Sequence, residues 1–462
     1  MTEHETVVGL EVHCELKTAT KLFCGCANEF GAEPNTHVCP VCLGLPGSLP
    51  VINRNAVDMA MAIGLALQCE VRPSIFHRKN YFYPDMPKDY QISQYDEPIN
   101  VDGFLELPDG FRVGVERAHM EEDTGKTTHI GESGRIHGAD YSLVDYNRSG
   151  VPLVEIVSAP DMRGADHARA YVTELRAILV AAGASDGKME EGSLRVDANV
   201  SVRPVGSDAL GTRCEIKNLN SLRSLGRAIE YEAKRQAELI DRGEKIVQET
   251  RHWDEAKGRT QPGRAKEEAN DYRYFPEPDL VPLDPDDAWQ AAVAAALPPL
   301  PAARRATLAA AAGVSPADTA IVVEQDLDHL VAAAIEAGGN GKIALKRAAN
   351  EVAGRQIDPG AFTTLVKMET DGQLSTSQAR TVLLEVLDSG GDPAAIVAAK
   401  GFEAMDADAL SAIVDGVIAS SPDEAEKYRG GDQRVLGVLV GKVKAAGGDP
   451  KAGSAMLREK LG

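Results

Sequence analysis

No apolar run in this 462-residue chain approaches the roughly 20 residues that would cross a bilayer. The N-terminal MTEHETVVGLEVH lacks a basic region followed by an apolar stretch, so no signal peptide and no membrane are expected, and the location expected is cytoplasmic. There is no GxxxxGK[ST] phosphate loop: the nearest Gly-Lys, Gly341-Lys342, has Glu336 where the first glycine belongs. A strand–GxGxxG–helix fingerprint and an HExxH are also missing, as are a GxSxG elbow and a Cys/His pair suited to hydrolysing an amide. A nucleotide, if used, is therefore expected on a platform of sheet and metal. Positive charge is in short supply: 49 Lys and Arg against 70 Asp and Glu leave a net −21, which argues against broad adhesion to nucleic acid or membranes. Seven cysteines, an odd number in a long chain, do not form a secreted disulfide framework.

What is present divides near residue 290. Before it lie all seven cysteines, nine of the ten histidines and most aromatics; after it the chain is Ala-rich. The prolines Pro298, Pro299 and Pro301 mark a linker. The first part reads as α+β. Val8, Leu10, Val12, Cys14 and Leu16 alternate with Glu11, His13 and Glu15, and the stretch 194–203 opposes Leu194, Val196, Ala198, Val200 and Val202 to Arg195, Asp197, Asn199, Ser201 and Arg203. Such two-faced strands suit a largely antiparallel sheet with one polar face. Helices are expected over 167–182 and 224–242. The second part reads as all-α, with helical spacing over 357–371, 375–387, 406–420 and 432–446 and candidate N-caps at Ser375 and Asp406. From Lys427 to Gly462, eight Lys and Arg against three Asp and Glu make the tail locally +5, either a solvated helical face or an RNA contact.

Two motifs carry chemistry. Cys24-Gly25-Cys26, twelve residues, then Cys39-Pro40-Val41-Cys42 can close a tetrahedral four-cysteine zinc site with no open position, hence structural. The second is a set of carboxylates: Glu11 beside His13; the acidic run Glu121, Glu122, Asp123; Glu155 inside the apolar strand PLVEIV, where an unpaired charge is costly; and Glu190 and Glu191 before the strand carrying Asp197. Carboxylates with one His suit magnesium or manganese. Arg78, Lys79, Arg148, Arg195, Arg203 and Lys217 accompany them, as phosphoryl transfer requires, with cross-strand ion pairing as the plain alternative.

VVGLEVHCELKTATKLFCGC, RKNYFYPDMPKDYQISQYDEPI, HMEEDTGK, DYNRSGVPLVEIVSAPD, MEEGSLRVDANVSVRP, EIKNLNS and DYRYFPEPDL together resemble the B-subunit family of the aspartyl/glutamyl-tRNA amidotransferases. GQLSTSQAR, EKYRGG and LVGKVKAAGGDP resemble that family's C-terminal helical region, shared with YqeY-type proteins. The resemblance implies a glutamine-synthetase-like catalytic domain over 1–292, a helical domain over 293–405 and a YqeY-like tail domain over 406–462. It implies a ligase with glutamine as amido donor. ATP and magnesium would phosphorylate the side-chain carboxyl of Glu-tRNA(Gln) or Asp-tRNA(Asn). Ammonia from a partner amidase, the A component of a heterotrimer that a small C component clamps together, would displace phosphate. On this resemblance Glu11, His13 and Glu122 bind magnesium, with Glu155 as a further ligand; Glu191 and Arg195 act in catalysis; Lys79, Arg195 and Lys217 contact phosphates; and Cys24, Cys26, Cys39 and Cys42 hold zinc. Glu15 shares a face with His13 but stays outside the set. The alternative is a non-catalytic, zinc-stapled tRNA-binding scaffold. Two departures from the family pattern stand out: Gln261-Pro262-Gly263 after KGRT, and Val443-Lys444 where a Met usually intervenes.

Overall fold

The computed structural model describes residues 3–131, 138–263, 272–402, 407–446 and 450–462. The candidate N-cap Asp406 lies outside them. The chain divides into two compact units, Met1–Pro301 and Ala302–Gly462.

In the first unit the elements run β1 (His4–Glu15), α1 (Arg54–Ala66), β2 (Glu70–Val71), β3 (His77–Asn80), β4 (Tyr90–Ser93), β5 (Asn100–Glu106), β6 (Arg112–Glu122), β7 (Lys126–Gly131), β8 (Ala139–Asp145), β9 (Pro152–Ser158), α2 (Ala165–Ala181), β10 (Leu194–Pro204), β11 (Cys214–Leu219), α3 (Leu222–Asp241), β12 (Thr250–Asp254), β13 (Arg259–Pro262) and β14 (Phe275–Pro276). Twelve strands form one sheet in the order β13-β12-β11-β10-β1-β9-β6-β4-β3-β14, with β2 and β5 paired alongside β6 and β7-β8 a separate hairpin. Among these pairings only β11-β12 is parallel. The α+β reading, a largely antiparallel sheet followed by helices, holds.

β1 sits centrally because both of its edges pair, with β10 and with β9. Its alternation sends Val8, Leu10, Val12 and Cys14 into a fully buried apolar layer, closed by Leu175 and Ile178 of α2 and Leu225 and Ile229 of α3. One irregularity decides which acidic residues reach the polar face. β6 begins with Val113 and Val115 in the core, but its register against β9 shifts between Val115 and Arg117, and from there Ala118 and Met120 are the residues in the apolar core. A bulge adds one residue and exchanges the two faces of the strand. At the other end of the sheet, Pro262 closes the edge strand β13, where its missing N–H breaks no ladder.

The second unit is helical, as its periodicity predicts. Helices span Pro359–Thr370, Thr376–Ser389, Ala407–Ala419 and Leu436–Ala445, the last preceded by a 3-10 turn at Gln433–Val435. Ser375 caps its helix reciprocally with Gln378, a capping box. The unit holds two apolar clusters, one around Phe362, Leu365 and Leu383, the other around Val414, Leu439 and Leu457. Beneath the first, the Arg347 side chain, 2% exposed, donates to both Glu369 oxygens at 2.8 and 2.9 Å, to Glu351 at 3.1 Å and to the Thr376 carbonyl at 2.7 Å. Arg347→Ala would strand two buried carboxylates. An expected loss of about 3–5 kcal/mol follows, measurable as a lowered urea midpoint; an unchanged midpoint would mean that water replaces the guanidinium without cost.

Candidate active site and cysteine cluster

The polar face of the sheet is a grid fixed by strand register. Across one row run His119 on β6, Glu155 on β9, His13 on β1 and Arg195 on β10, each opposite the next. The neighbouring row runs Arg117, Val157, Glu11, Asp197, and the row on the other side Glu121, Leu153, Glu15. Residues directly opposite on antiparallel strands stand about 4.5–5.5 Å apart. The grid therefore places two carboxylates and an imidazole together: His13, Glu121 and Glu155 each offer a ligand atom within 4.8 Å of the others. His119, fully buried, supports them from below, its Nε2 3.5 Å from an oxygen of Glu121 and 3.5 Å from one of Glu155. Burial opposes ionisation of Glu121, but His119, Lys79 and His13 outweigh it and hold the carboxyl below the usual carboxylate range.

This face floors a cleft of about 1390 Å³. Of the residues singled out from the sequence, Glu11, His13, Lys79, Glu155, Glu191, Arg195 and Lys217 all line it. Glu11 accepts from Asn199 Nδ2 at 2.9 Å and stands outside the tight cluster. Glu191, at the rim, pairs with Lys188 at 2.8 Å. Lys217 donates to Asp197 at 2.6 Å; burial disfavours its charge, but Asp197 and Glu215 more than compensate and keep the ammonium protonated. Arg195 is bonded to Asp123 and, at 3.2 Å, to Glu15. Burial and the neighbouring Asp123 push the Glu15 carboxyl up to about 7, against the pull of Arg195.

Glu122 requires a correction. Its carboxylate lies on the opposite face of β6, 1% exposed, accepting from Lys88 Nζ at 2.6 and 2.7 Å and from the Ile92 amide at 3.0 Å. It reaches neither the cleft nor His13; Glu121 stands where Glu122 was expected. The bulge in β6 decides which of the two faces the cleft. Extending the Val113–Val115 alternation sends residue 121 inward and 122 outward, whereas Ala118 and Met120 signal in the sequence that the phase has changed.

The sequence reading also missed an aromatic wall. Tyr274 stacks on Tyr95, with ring centroids 5.2 Å apart, and Tyr272 meets Tyr274 edge-on at 6.2 Å. Asn80 Nδ2 holds this strap by donating to the carbonyls of Tyr272 and Arg273 at 2.9 and 2.8 Å, and Arg78 ties it down through Glu277 at 2.6 and 2.8 Å.

Apart from the cleft, Cys24, Cys26, Cys39 and Cys42 bring their sulfurs within 4.8 Å of one another, so the cluster could hold a metal such as zinc. Zn–S bonds of about 2.3 Å in a tetrahedron separate sulfurs by about 3.8 Å, and Cys39 Sγ and Cys42 Sγ lie 3.8 Å apart. Hydrogen bonding from Cys24 outweighs burial and, with the Cys39 amide at 3.0 Å and the charge of Lys21, lowers the Cys42 thiol to about 5, while the same bond, with burial, holds the Cys24 thiol well above its ordinary value. A thiolate is the form that binds metal.

No single helix among the described residues is long and apolar enough to cross a membrane. Residues 6–291 match the family described as the GatB/GatE catalytic domain, and residues 340–461 the one described as the GatB domain. Relatives named as the B subunit of aspartyl/glutamyl-tRNA(Asn/Gln) amidotransferase include that of Frankia casuarinae, 52% identical over 100% of this chain and 96% of that one. Those of Mycobacterium sp. strain KMS (51%; 98% and 95%) and Carboxydothermus hydrogenoformans (48%; 100% and 99%) are similar at the same full length. With both of its units matched and full-length relatives at half identity, the chain belongs to the B-subunit family of the aspartyl/glutamyl-tRNA amidotransferases.

Proposed function

We propose that this chain is the B subunit of a tRNA-dependent amidotransferase and carries the site that activates the side-chain carboxyl of Glu-tRNA(Gln), Asp-tRNA(Asn) or both. The observation that carries the reading is the His13–Glu121–Glu155 cluster on the floor of a large cleft lined by Lys and Arg. Two carboxylates and one imidazole fit a magnesium or manganese ion, which would neutralise phosphate charge when bound. The ligand set thus becomes His13, Glu121 and Glu155, with Glu11 next to it.

A carboxylate resists amidation because its leaving group would be oxide. In the proposed reaction a substrate carboxylate oxygen attacks the γ-phosphorus of ATP, the bond to the bridging oxygen breaks and ADP leaves. Ammonia nitrogen then attacks the acyl carbon, the bond from carbon to the phosphoryl oxygen breaks, and inorganic phosphate departs as nitrogen loses a proton. Lys79 lines the cleft and would meet developing phosphate charge, while the Asp123–Arg195–Glu15 bridge would hold the lining around it rigid. Ammonia would come from a partner amidase, held in the complex by a small third component. The reading puts the reaction in the cytoplasm, where charged tRNA and ATP meet. In the tail, Arg434, Lys442 and Lys460 are already paired with Asp432, Glu424 and Asp415, which leaves Lys427, Arg429, Lys444 and Arg458 among the described side chains as its candidate tRNA contacts.

The test is ADP release by the assembled complex with mischarged tRNA and ammonium chloride. His13→Ala is expected to abolish it while leaving assembly and tRNA affinity intact. Undiminished ADP release and amidation by that variant would refute the catalytic reading and favour the scaffold.

A further inference from the structure

The cations of the cleft differ in whether their charge is already spent. Arg195 is engaged by Asp123 and Glu15, and Lys217 by Asp197. Arg117 is different. Its side chain is 25% exposed, and the nearest carboxylate is that of the adjacent Glu116, 3.8 Å away and itself half exposed. Its Nε is buried without a hydrogen-bond partner. A guanidinium held partly out of water with a donor unmet carries a desolvation cost that an anion would offset.

Geometry gives that anion a position. The Arg117 guanidinium carbon lies 5.0 Å over the ring of Tyr95, which also stacks on Tyr274 and meets His119 edge-on. Stacking of this kind fixes the plane of the guanidinium and leaves its donor fork directed sideways. Arg117 precedes His119 by two residues on the same face of β6, about 7 Å along the strand, and His119 touches both Glu121 and Glu155. An oxyanion chain reaching from the metal-binding cluster along β6 meets Arg117 next. Lys79 forms no ion pair among the described residues; its Nζ sits 4.7 Å over the Tyr272 ring, on the same aromatic wall.

We propose that Arg117 is a binding residue for the polyphosphate of the nucleotide, acting with Lys79, and that Arg195 and Lys217 shape the cleft instead of holding phosphate. This rests on the ATP-dependent reading above. The chemistry favours Arg here, since the planar fork binds phosphate oxygens in pairs.

The experiment is calorimetric titration of the assembled complex with magnesium and the non-hydrolysable analogue AMP-PNP, with tRNA affinity measured in parallel. Arg117→Ala is expected to weaken the analogue at least about tenfold, the scale of losing one hydrogen bond to a charged group. Arg117→Lys should fall between the two, and tRNA affinity should stay within twofold of wild type. Arg117→Gln keeps most of the stem over Tyr95 and serves if the alanine variant misfolds. Analogue affinity within twofold of wild type in a folded variant, or a loss confined to tRNA, overturns the assignment alone. Failure of the wild-type complex to bind the analogue would overturn the ATP-dependent reading as well.

Discussion

Glu121→Gln should cut amidation by at least about 100-fold, the usual scale for losing one preorganised charge at a reacting centre, with little change in thermal stability. Glu122→Gln should do the reverse. The two carboxylates are adjacent in sequence, yet they stand on opposite faces of β6. Glu121 faces His13 and Glu155 across the cleft floor. Glu122 is enclosed with Lys88, whose side chain is 7% exposed. Removing one charge from such a pair leaves the other buried and uncompensated, at about 3–5 kcal/mol, which for a unit of this size lowers Tm by about 10 °C. Melting curves and single-turnover amidation on both variants, in the assembled complex, separate the roles. The double variant Lys88→Met with Glu122→Leu should regain part of the lost stability, because no charge is then left alone, although the Ile92 amide loses its acceptor. If Glu122→Gln lost turnover while keeping its Tm, the assignment of faces would be wrong.

That pair also shows how far the sequence could be read. β1 and β10 alternate without interruption, so Glu11, His13, Arg195 and Asp197 are placed on one face by parity alone, and the paired registers keep them there. Glu155 was legible through cost: a charge in an otherwise apolar strand needs a partner, and His13 and His119 flank it. In β6 parity could not have told Glu121 from Glu122, which was chosen on the resemblance, because a bulge leaves no strong local signature; only the spacing from Val115 to Ala118 records it. Which strands neighbour one another was not legible either. β9 inserts between β1 and β6, and this long-range pairing is what turns Glu121, Glu155 and His13 into one cluster. The aromatic wall was hidden for a similar reason, since Tyr95 and Tyr274 meet only because β14 pairs with β3. The fate of each cation, spent on a carboxylate or left open, is a matter of tertiary contact and could not be read from residue type.

Removing metal from the cysteine cluster, by chelation or by Cys42→Ser, is expected to lower Tm by about 10 °C and to open the segment around residues 24–50 to proteolysis. The loop's own backbone bonds are mostly tight turns, such as those from the amides of Leu43, Gly44 and Leu45 to the carbonyls of Cys39, Val41 and Pro40, and its ends are tied by the Asn28 amide to the Ala19 carbonyl and by the Val51 and Asn53 amides to the carbonyls of Phe23 and Leu22. A structural zinc contributes on the order of 10 kcal/mol in small zinc domains; those bonds and the packing of Phe23 against Phe76 should retain part of the order, so the loss here is smaller. Charge supplies a second reason. Lys21 is fully buried, and its ammonium donates only to the carbonyls of His37 and Tyr146, at 2.8 and 3.2 Å. It has no carboxylate partner among the described residues. Four thiolates around one Zn²⁺ carry a net −2, which would balance this cation; without the metal the other thiols take up protons and Cys42, its thiol lowered to about 5, is left as the one counter-charge to the buried ammonium. Lys21→Met should therefore destabilise the zinc-loaded protein, because the cluster's charge loses its counterpart, and destabilise the metal-free protein less, because there a single thiolate takes the place of the cluster's two negative charges. Melting of both proteins with and without chelator tests this coupling as a double-mutant cycle. Additive losses would mean that the metal stabilises the loop by cross-linking alone.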